Sequence, residues 1–205
     1  MKHWLITGFE PFDGSHVNPS AQIVTALSQS IFPEHFHGLI LPVNAKTAPA
    51  ILVENLQQIR PQAVLCLGEA AGRTAISIER VAINLMDFRI PDNAGEQVTD
   101  QPIAPDGPTA YFSRLPVRKI RDGLLAEGVP AELSYSAGAY LCNQVFYTLM
   151  HFLATHNMDI PAGFIHVPSL PEQAARRTSL TPSMSMELQI EAIRKVIEIV
   201  ETENP

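Results

Sequence analysis

A strand turns into a helix within Ser136-Ala-Gly-Ala-Tyr-Leu-Cys142-Asn-Gln-Val-Phe-Tyr-Thr-Leu-Met-His151. Before this turn, residues 131–136 alternate in the period of a strand, and from Cys142 onward apolar residues recur at helical spacing. A thiol at such a junction faces the unpaired N–H groups and the positive dipole of the first helical turn, which favour a thiolate nucleophile. The alternative is a small buried cysteine that only packs at a helix start.

The size and composition of the chain are those of one globular domain, which we expect to span residues 1–205. The chain is 46% hydrophobic and 17% charged, a balance that excludes a disordered protein. Its net charge of −7 and its lack of a Lys or Arg cluster predict no nucleic-acid partner. No apolar run approaches the roughly 18 residues of a membrane span, so we expect a cytoplasmic protein without a membrane partner.

Strands and helices alternate along the chain, which predicts an α/β fold. We expect a single-domain α/β/α sandwich with a mostly parallel, twisted sheet and helices on both faces. The predicted strands are 4–9, 38–43, 63–68, 75–87, 131–136 and 162–168, and the predicted helices are 19–30, 47–59, 113–127, one from 142 and one carrying 186–200. The segment 88–111, rich in Pro and Gly, predicts a flap over a site, with a short hairpin.

Three parts of the chain can meet at the carboxyl ends of the predicted strands, where sites form in such sheets. They are the loop after the first strand, the turn before Cys142, and His166 near the end of the last strand. Phe9 and Phe12 stand in that first loop, where they either line a pocket or fold back into the core. A lone histidine such as His166 is more often structural than catalytic.

A thiol acyl-transfer site also needs an acidic residue, and several are available. Glu79 interrupts an apolar strand, where a carboxylate is costly unless it is paired or functional. The alternative is a structural salt bridge with a neighbouring arginine. Spacing alone does not choose Glu79 over Glu10, Glu69 or Asp87.

Several other chemistries lack their sequence motifs. No G-x-G-x-x-G or Walker motif supports a nucleotide, and no H-E-x-x-H or C-x-x-C motif supports a metal. The G-x-S-x-G elbow of serine hydrolases is also missing. We therefore expect neither a cofactor nor a metal. Cys66, the second of two cysteines, lies in the middle of an apolar strand and is expected to pack as a free thiol.

Separate blocks of the sequence match one known family in the right order. They are Gly8-Phe9-Glu10-Pro11-Phe12 with Asn18-Pro19-Ser20, residues 79–85, Arg89-Ile90-Pro91-Asp92-Asn93, residues 136–143, and residues 166–173. Over nearly the whole chain the sequence resembles the type I pyroglutamyl peptidases, also called pyrrolidone-carboxylate peptidases, which are cysteine peptidases. Members of this family remove an N-terminal pyroglutamyl residue from peptides.

The resemblance implies roles for the candidate residues. Cys142 would be the nucleophile, His166 its general base and acid, and Glu79 the carboxylate that orients the imidazole. The Cys142 N–H and Arg89 would hold the oxyanion. The resemblance also implies substrate contacts from Phe9, Phe12, Asn18, Glu69, Ile90, Tyr140 and Leu141. Family members are often tetramers or dimers, so a homo-oligomer is expected.

The chain departs from the family pattern near the predicted pocket. Glu69 stands where the family more often has Gln, and Tyr140-Leu141 precede the cysteine where Phe-Val is commoner.

Two other functions are alternatives for a chain with this sequence. A glutamine-hydrolysing amidotransferase would share the Cys-His-Glu chemistry, but the tight Gly-x-Cys-x-Gly context is absent. A non-catalytic binder of cyclised peptide N-termini is the alternative from another class.

Overall fold

The structure, a computed structural model, describes residues 1–29 and 35–203. Its strands are β1 (Trp4–Phe9), β2 (Phe36–Leu41), β3 (Ala63–Glu69), β4 (Ile76–Glu79), β5 (Val81–Ile83), β6 (Ala110–Phe112), β7 (Ala131–Ser134) and β8 (Ala162–Val167). Its helices are α1 (Pro19–Ser28), α2 (Thr47–Ile59), α3 (Val117–Ala126), α4 (Leu141–Thr155), α5 (Pro171–Ala174) and α6 (Met186–Glu203).

The main sheet has six strands in the order β2-β1-β3-β8-β4-β7. All neighbours are parallel except β4 and β8, which are antiparallel. Helices α2 and α4 pack on one face, and α1, α3 and α6 pack on the other. Because β3 is covered on both faces, all of its residues are buried. The predicted α/β/α sandwich with a mostly parallel sheet is therefore confirmed.

The start of α1 follows from its sequence. Pro19 stands at the first helical position, and the Asn18 side chain accepts a hydrogen bond from the Ser20 N–H at 3.0 Å. The predicted end of this helix at Ser30 lies outside the described residues. The predicted strand 38–43 is observed as β2, and the predicted helix 113–127 is the shorter α3.

The prediction of one strand over 75–87 is wrong. The chain changes partners at Arg80, whose N–H donates to Ser134 and whose carbonyl accepts from Ser113. As a result β4 joins the main sheet, and β5 pairs with β6 in a separate two-stranded sheet. Glu79 and Arg80 interrupt the apolar pattern at the break, but the alternation continues on both sides of them and favoured a single strand.

The β5–β6 pair closes the base of the segment 84–109, which overlaps the predicted flap 88–111. This segment is tied to the rest of the fold by its own side chains. The Asp92 carboxylate accepts from the Ala45 N–H at 2.9 Å, and the Asn93 amide donates to Glu10 at 2.8 Å.

Within residues 1–29 and 35–203, none of the helices has the length and apolar character needed to span a membrane.

Candidate active site

Cys142 is the second residue of α4, directly after the turn that leads from β7. Gly138 in this turn has a φ of 80°, a left-handed conformation that glycine adopts without strain. Tyr140 then enters the helix in an extended conformation, and no side chain caps the first turn. The N–H groups of that turn are therefore free of a capping side chain and can bind a negative oxygen.

Because side chains alternate along a strand, Gly68 of β3 lies on the face of the sheet that packs against α4. In β3, Val64 and Cys66 pack with α4 residues, so Gly68 faces the same way. A Cβ atom on Gly68 would lie 2.8 Å from the Cys142 sulfur, which places the sulfur directly over this glycine. Gly68 is paired in register with His166 of β8, so the sulfur and the imidazole lie over adjacent strands.

His166 is held by a buried carboxylate. Its Nδ1 lies 2.8 Å from Oε1 of Glu79, which is completely buried in β4. Since an ionised carboxylate can only accept, Nδ1 carries the proton and Nε2 is left as the base. Arg73 donates to the same oxygen at 2.7 Å and to the Ser136 carbonyl at 3.0 Å. Both donors therefore meet one oxygen of the Glu79 carboxylate, Oε1.

Burial and neighbouring charges shift the pKa values of Glu79, His166 and Cys142. Burial alone would raise the pKa of Glu79, but the His166 hydrogen bond and the Arg73 charge together bring that pKa below its usual value. Burial lowers the pKa of His166, although Glu79 acts against this shift. The Cys142 side chain is partly exposed, yet its surroundings raise its pKa to about 12, mainly by desolvation and then by the Glu79 charge.

These directions favour a neutral thiol and a neutral imidazole in the unoccupied site. The sequence predicted a thiolate stabilised by the helix N-terminus. In the structure burial, and after it the Glu79 charge, raise the pKa of Cys142, while the Arg73 charge lowers it by less.

Cys142 and His166 line one cavity of about 330 Å³, here called the central cavity. Of the residues predicted from the sequence, it is also lined by Phe12, Glu69, Arg89, Ile90 and Tyr140. A smaller, largely apolar cavity, here called the slot, adjoins it. The slot is lined by Phe9, Phe12, Asn18, Val43, Glu69, Tyr140, Leu141 and Cys142. Every candidate site residue other than Glu79 therefore borders one of two adjoining cavities at Cys142.

Aromatic packing shapes the wall between the slot and the 84–109 segment. The Tyr140 ring lies edge-on to Phe88, with ring centroids 4.7 Å apart, and 6.4 Å from the Phe12 ring. The Tyr140 hydroxyl donates to the Pro91 carbonyl at 3.1 Å. This bond links the residue that precedes α4 to the segment that carries Arg89 and Ile90.

Asn18 lines the slot, but its side chain also organises the loop after β1. Its Oδ1 accepts from the Ser20 hydroxyl at 2.7 Å, and its amide donates to the Glu10 carbonyl at 3.1 Å. The Ser20 hydroxyl oxygen in turn accepts from the Phe9 N–H at 3.0 Å. Asn18 thus fixes the backbone from which Phe9 and Phe12 project.

Glu69 is also committed to structural hydrogen bonds. Its carboxylate accepts from the Ser169 hydroxyl at 2.7 Å and from the Gln173 amide at 3.0 Å. The same amide lies 3.2 Å from the hydroxyl oxygen of Ser15. Glu69 therefore ties the end of β3 to α5, and its charge is partly satisfied before any ligand enters.

The sequence analysis missed some residues that border the site. A salt bridge of Glu79 with a neighbouring arginine was the alternative given above, and Arg73 forms it, but a lone arginine in a loop has no periodic signal that would have identified it by number. Asp13, Gln173 and Arg177, which line the central cavity beside Cys142, were also missed. Cys66, in contrast, is fully buried, and desolvation raises its pKa to about 12, which agrees with a packing role.

No group of three or more His, Cys, Asp or Glu side chains that could hold a metal ion occurs within residues 1–29 and 35–203. The functional groups that line the central cavity are a thiol, an imidazole, carboxylates and guanidinium groups. Such a set is suited to nucleophilic and acid–base chemistry.

Comparison with known proteins places this chain among cysteine peptidases. A family model described as pyroglutamyl peptidase matches residues 2–203. The chain is 45% identical to the pyrrolidone-carboxylate peptidase of Pyrococcus furiosus over 199 residues, covering 95% of this chain and 96% of that protein. It is 46% identical to the pyrrolidone-carboxylate peptidase of Gloeobacter violaceus over 205 residues, covering 97% of each. A crystal structure of a mutant pyrrolidone carboxyl peptidase from P. furiosus matches with a TM-score of 0.95 at 43% identity, covering 98% of this chain and 99% of that chain.

Proposed function

Since this chain belongs to the pyroglutamyl peptidase family, we propose that it removes N-terminal pyroglutamyl residues from peptides with a Cys142-His166-Glu79 triad. One observation carries the proposal: the Cys142 sulfur and the His166 imidazole border one cavity, and His166 is hydrogen-bonded to buried Glu79. The order nucleophile, base and orienting acid is that of triad hydrolases.

In the first step His166 takes the thiol proton at Nε2 as the Cys142 sulfur attacks the carbonyl carbon that follows the pyroglutamyl ring. Glu79 stabilises the imidazolium that forms, since its carboxylate accepts from Nδ1. The tetrahedral intermediate then collapses, the carbon–nitrogen bond breaks, and His166 returns the proton to the leaving amine. A thioester between Cys142 and the pyroglutamyl group remains.

In the second step water attacks the thioester. His166 accepts a proton from the water, the carbon–sulfur bond breaks, and the sulfur leaves with a proton returned by His166. Pyroglutamate and the free Cys142 thiol are the products. The step requires no oxidant, cofactor or metal, but the thiol must stay reduced for each cycle.

The oxyanion of each tetrahedral intermediate needs donors that meet the developing charge. The Cys142 N–H is one candidate, because it belongs to the uncapped first turn of α4. Arg89 is the second, because it lines the central cavity with Cys142 and is exposed to it. An arginine there adds positive charge where the carbonyl oxygen becomes negative.

The walls of the slot suit the chemistry of the pyroglutamyl ring, but its volume of about 20 Å³ holds little more than one water molecule, so the ring must widen the slot or lie partly in the central cavity. The ring is an uncharged lactam, so it needs apolar walls and a few hydrogen bonds instead of a carboxylate that would bind an α-ammonium group. Phe9, Phe12, Tyr140 and Leu141 supply those walls, and Ile90 borders the adjoining central cavity. A site that hydrogen-bonds the ring amide rejects a prolyl group, which lacks the ring carbonyl, by about 10⁴-fold.

We further propose that the enzyme acts in the cytoplasm as a homo-oligomer, either a dimer or a tetramer. The oligomeric state is proposed from the family resemblance alone, and no contact within the single chain supports it. Sedimentation velocity at micromolar concentrations tests the assembly. A monomer at all concentrations would contradict it.

The test substrate is an amide of pyroglutamate with a fluorescent amine. Activity is measured as release of that amine, with reductant present. We expect turnover by the unmodified chain and a loss of at least about 10³-fold in Cys142→Ala. Cys66→Ala is the matched control, since this buried thiol packs against the core and should be dispensable for turnover. Binding of the amide without release would indicate a non-catalytic binder, and full activity in Cys142→Ala would refute the triad.

A further inference from the structure

The central cavity continues, on the side away from the slot, into a third space of about 630 Å³. We call this space the outer cavity. It is lined by residues 13–17 after β1 and by residues 172–173 and 176–179 in and after α5. The outer and central cavities share Asp13, Ser15, Gln173 and Arg177. The slot and the central cavity share a different set, namely Phe12, Glu69, Tyr140 and Cys142.

The three cavities thus form a series in which Cys142 belongs to the slot side and Arg177 to the outer side. If the pyroglutamyl ring occupies the slot, its scissile carbonyl lies at Cys142 in the central cavity. The slot ends against buried Phe9, Val43 and Leu141, so the rest of the peptide must extend the other way. The outer cavity is the space that continues in this direction.

Gln173 and Arg177 lie at the boundary between the central and outer cavities, and hydrogen bonds hold each of them in place. The Gln173 side-chain carbonyl accepts from the Leu170 N–H at 2.8 Å, and its amide donates to Glu69 and Ser15. These bonds fix α5 against the loop after β1. The Arg177 N–H donates to the Ala174 carbonyl at 3.1 Å, so the residue is anchored by its backbone just beyond α5.

The charges at this boundary are available to a ligand. Within the part of the chain that the structure describes, the Arg177 guanidinium and the Asp13 carboxylate take part in no hydrogen bond or ion pair. Arg176 and Glu172 lie further out in the outer cavity. Glu69, the nearest other carboxylate, already accepts hydrogen bonds from Ser169 and Gln173. Arg89 lies in the central cavity beside Cys142, whereas Arg177 is the cation shared by the central and outer cavities, where a leaving segment would pass from one to the other.

We propose that the outer cavity binds the leaving segment of the substrate and that Arg177 binds a carboxylate of that segment. The proposal rests on the function given above and adds a preference to it. The carboxylate has two chemical sources: the C-terminus of a pyroglutamyl dipeptide, or an acidic side chain just after the pyroglutamyl residue. A guanidinium can bind either of them with two parallel hydrogen bonds.

Two matched pairs of substrates distinguish these sources. The first pair is pyroglutamyl-alanine and its C-terminal amide, which differ by one carboxylate at the end of the chain. The second pair is pyroglutamyl-glutamate amide and pyroglutamyl-glutamine amide, which differ by one side-chain carboxylate. In at least one pair we expect kcat/KM to favour the acid about threefold at low salt, as for an exposed ion pair. The preference should shrink as salt is added.

Arg177→Gln should bring that ratio to about one, and Arg177→Lys should retain part of it, since lysine keeps the charge without the planar fork. Arg118→Gln on α3, which removes the same charge from the opposite face of the sheet, should keep the unmodified ratio. The pair that loses its preference in Arg177→Gln identifies the source of the carboxylate.

Two outcomes overturn the inference. One is equal hydrolysis of acid and amide in both pairs by the unmodified chain. The other is a preference for the acid that persists in Arg177→Gln. Both leave the proposed function standing, because every substrate is still cleaved after its pyroglutamyl residue. If no substrate of either pair is cleaved, the proposed function fails, and the leaving-segment site fails with it.

Discussion

Gly68 lies directly beneath the sulfur of Cys142. A Cβ atom at Gly68 would stand 2.8 Å from the sulfur and 2.8 Å from Cζ of Phe164, closer than real Cβ atoms approach such neighbours. Gly68 is also the register partner of His166. The missing side chain at this one position therefore lets the helix that carries the sulfur approach the strand next to the imidazole.

Gly68→Ala should reduce activity much more than it reduces stability. The added methyl group pushes the sulfur or the Phe164 ring away, and a displacement of about 1 Å in a reacting group costs about 10²-fold. The measurement is kcat/KM on the pyroglutamyl reporter amide together with the urea unfolding midpoint.

Gly123→Ala is the control for Gly68→Ala. Its Cβ would meet the flexible end of Ile199, 2.6 Å from Cδ1, in a helix far from the cavities. Alanine is also the better residue inside a helix, so activity should stay unchanged. Full activity in Gly68→Ala would show that the sulfur does not depend on this close approach.

Glu79→Gln should lower kcat/KM by about 10³-fold or more, because a neutral amide no longer fixes the Nδ1–H tautomer or stabilises the imidazolium. Arg73 would also lose the carboxylate to which it donates. Glu54→Gln, on the exposed side of α2, makes the same chemical change away from the site and should have no effect. Comparable rates in the two variants would remove Glu79 from the triad.

The pH dependence follows from the lowered pKa of His166. Since the neutral imidazole is the base, activity requires deprotonated His166, and kcat/KM should fall as the pH drops below the ordinary imidazole range of about 6.5. Glu79 raises the pKa of His166, so Glu79→Gln should move this acid limb to lower pH. A limb that moves to higher pH in the variant would contradict the assignment.

Asn143→Ala should destabilise the fold by about 3 kcal/mol, because three hydrogen bonds to buried backbone are lost at about 1 kcal/mol each. The Asn143 side chain accepts from the Ile83 N–H and donates to the Ile83 and Leu85 carbonyls. It joins the start of α4 to β5 and the segment that follows. Urea unfolding at neutral pH measures the loss.

Asn55→Ala is the matched control for Asn143→Ala. The Asn55 amide makes one bond along its own helix, to the Ile51 carbonyl at 2.8 Å. Since alanine is the stronger helix former, the free energy of unfolding should change by less than about 0.5 kcal/mol. Equal losses in the two variants would mean that the link between α4 and β5 adds nothing.

Sequence periodicity was sufficient for the main architecture. The bounds of β1 and α2 match the prediction, and Asn18 with Pro19 identified the start of α1 from local chemistry alone. Strands buried on both faces were visible in 63–68, because an uninterrupted apolar run needs cover on both sides. These features depend on short-range patterns, which a single sequence carries.

The features that were missed depend on which segments become neighbours. Glu79 and Arg80 interrupt the strand pattern, but the change of sheet at Arg80 depends on Ser134 and Ser113, which bond its backbone. Likewise the contact of Arg73, in the loop between β3 and β4, with Glu79 at the end of β4 is not predicted by their spacing. The triad itself was selected by family resemblance, since spacing left other carboxylates open.

The protonation state of Cys142 could not be predicted from the sequence. The first turn of a helix, taken alone, favours a thiolate. In the folded chain desolvation and the charge of Glu79 both raise the thiol pKa. Tertiary burial decided the balance.

The antiparallel pairing of β5 with β6 brings both ends of the 84–109 segment to one short ladder. Inside its length the segment also contacts the rest of the fold, through Asp92 with Ala45, Asn93 with Glu10, and Pro91 with Tyr140. Arg89 and Ile90 lie on this segment. Replacing it with that of a relative, with those three contacts kept, would therefore change one wall of the central cavity and leave the strands that hold Glu79 and His166 as they are.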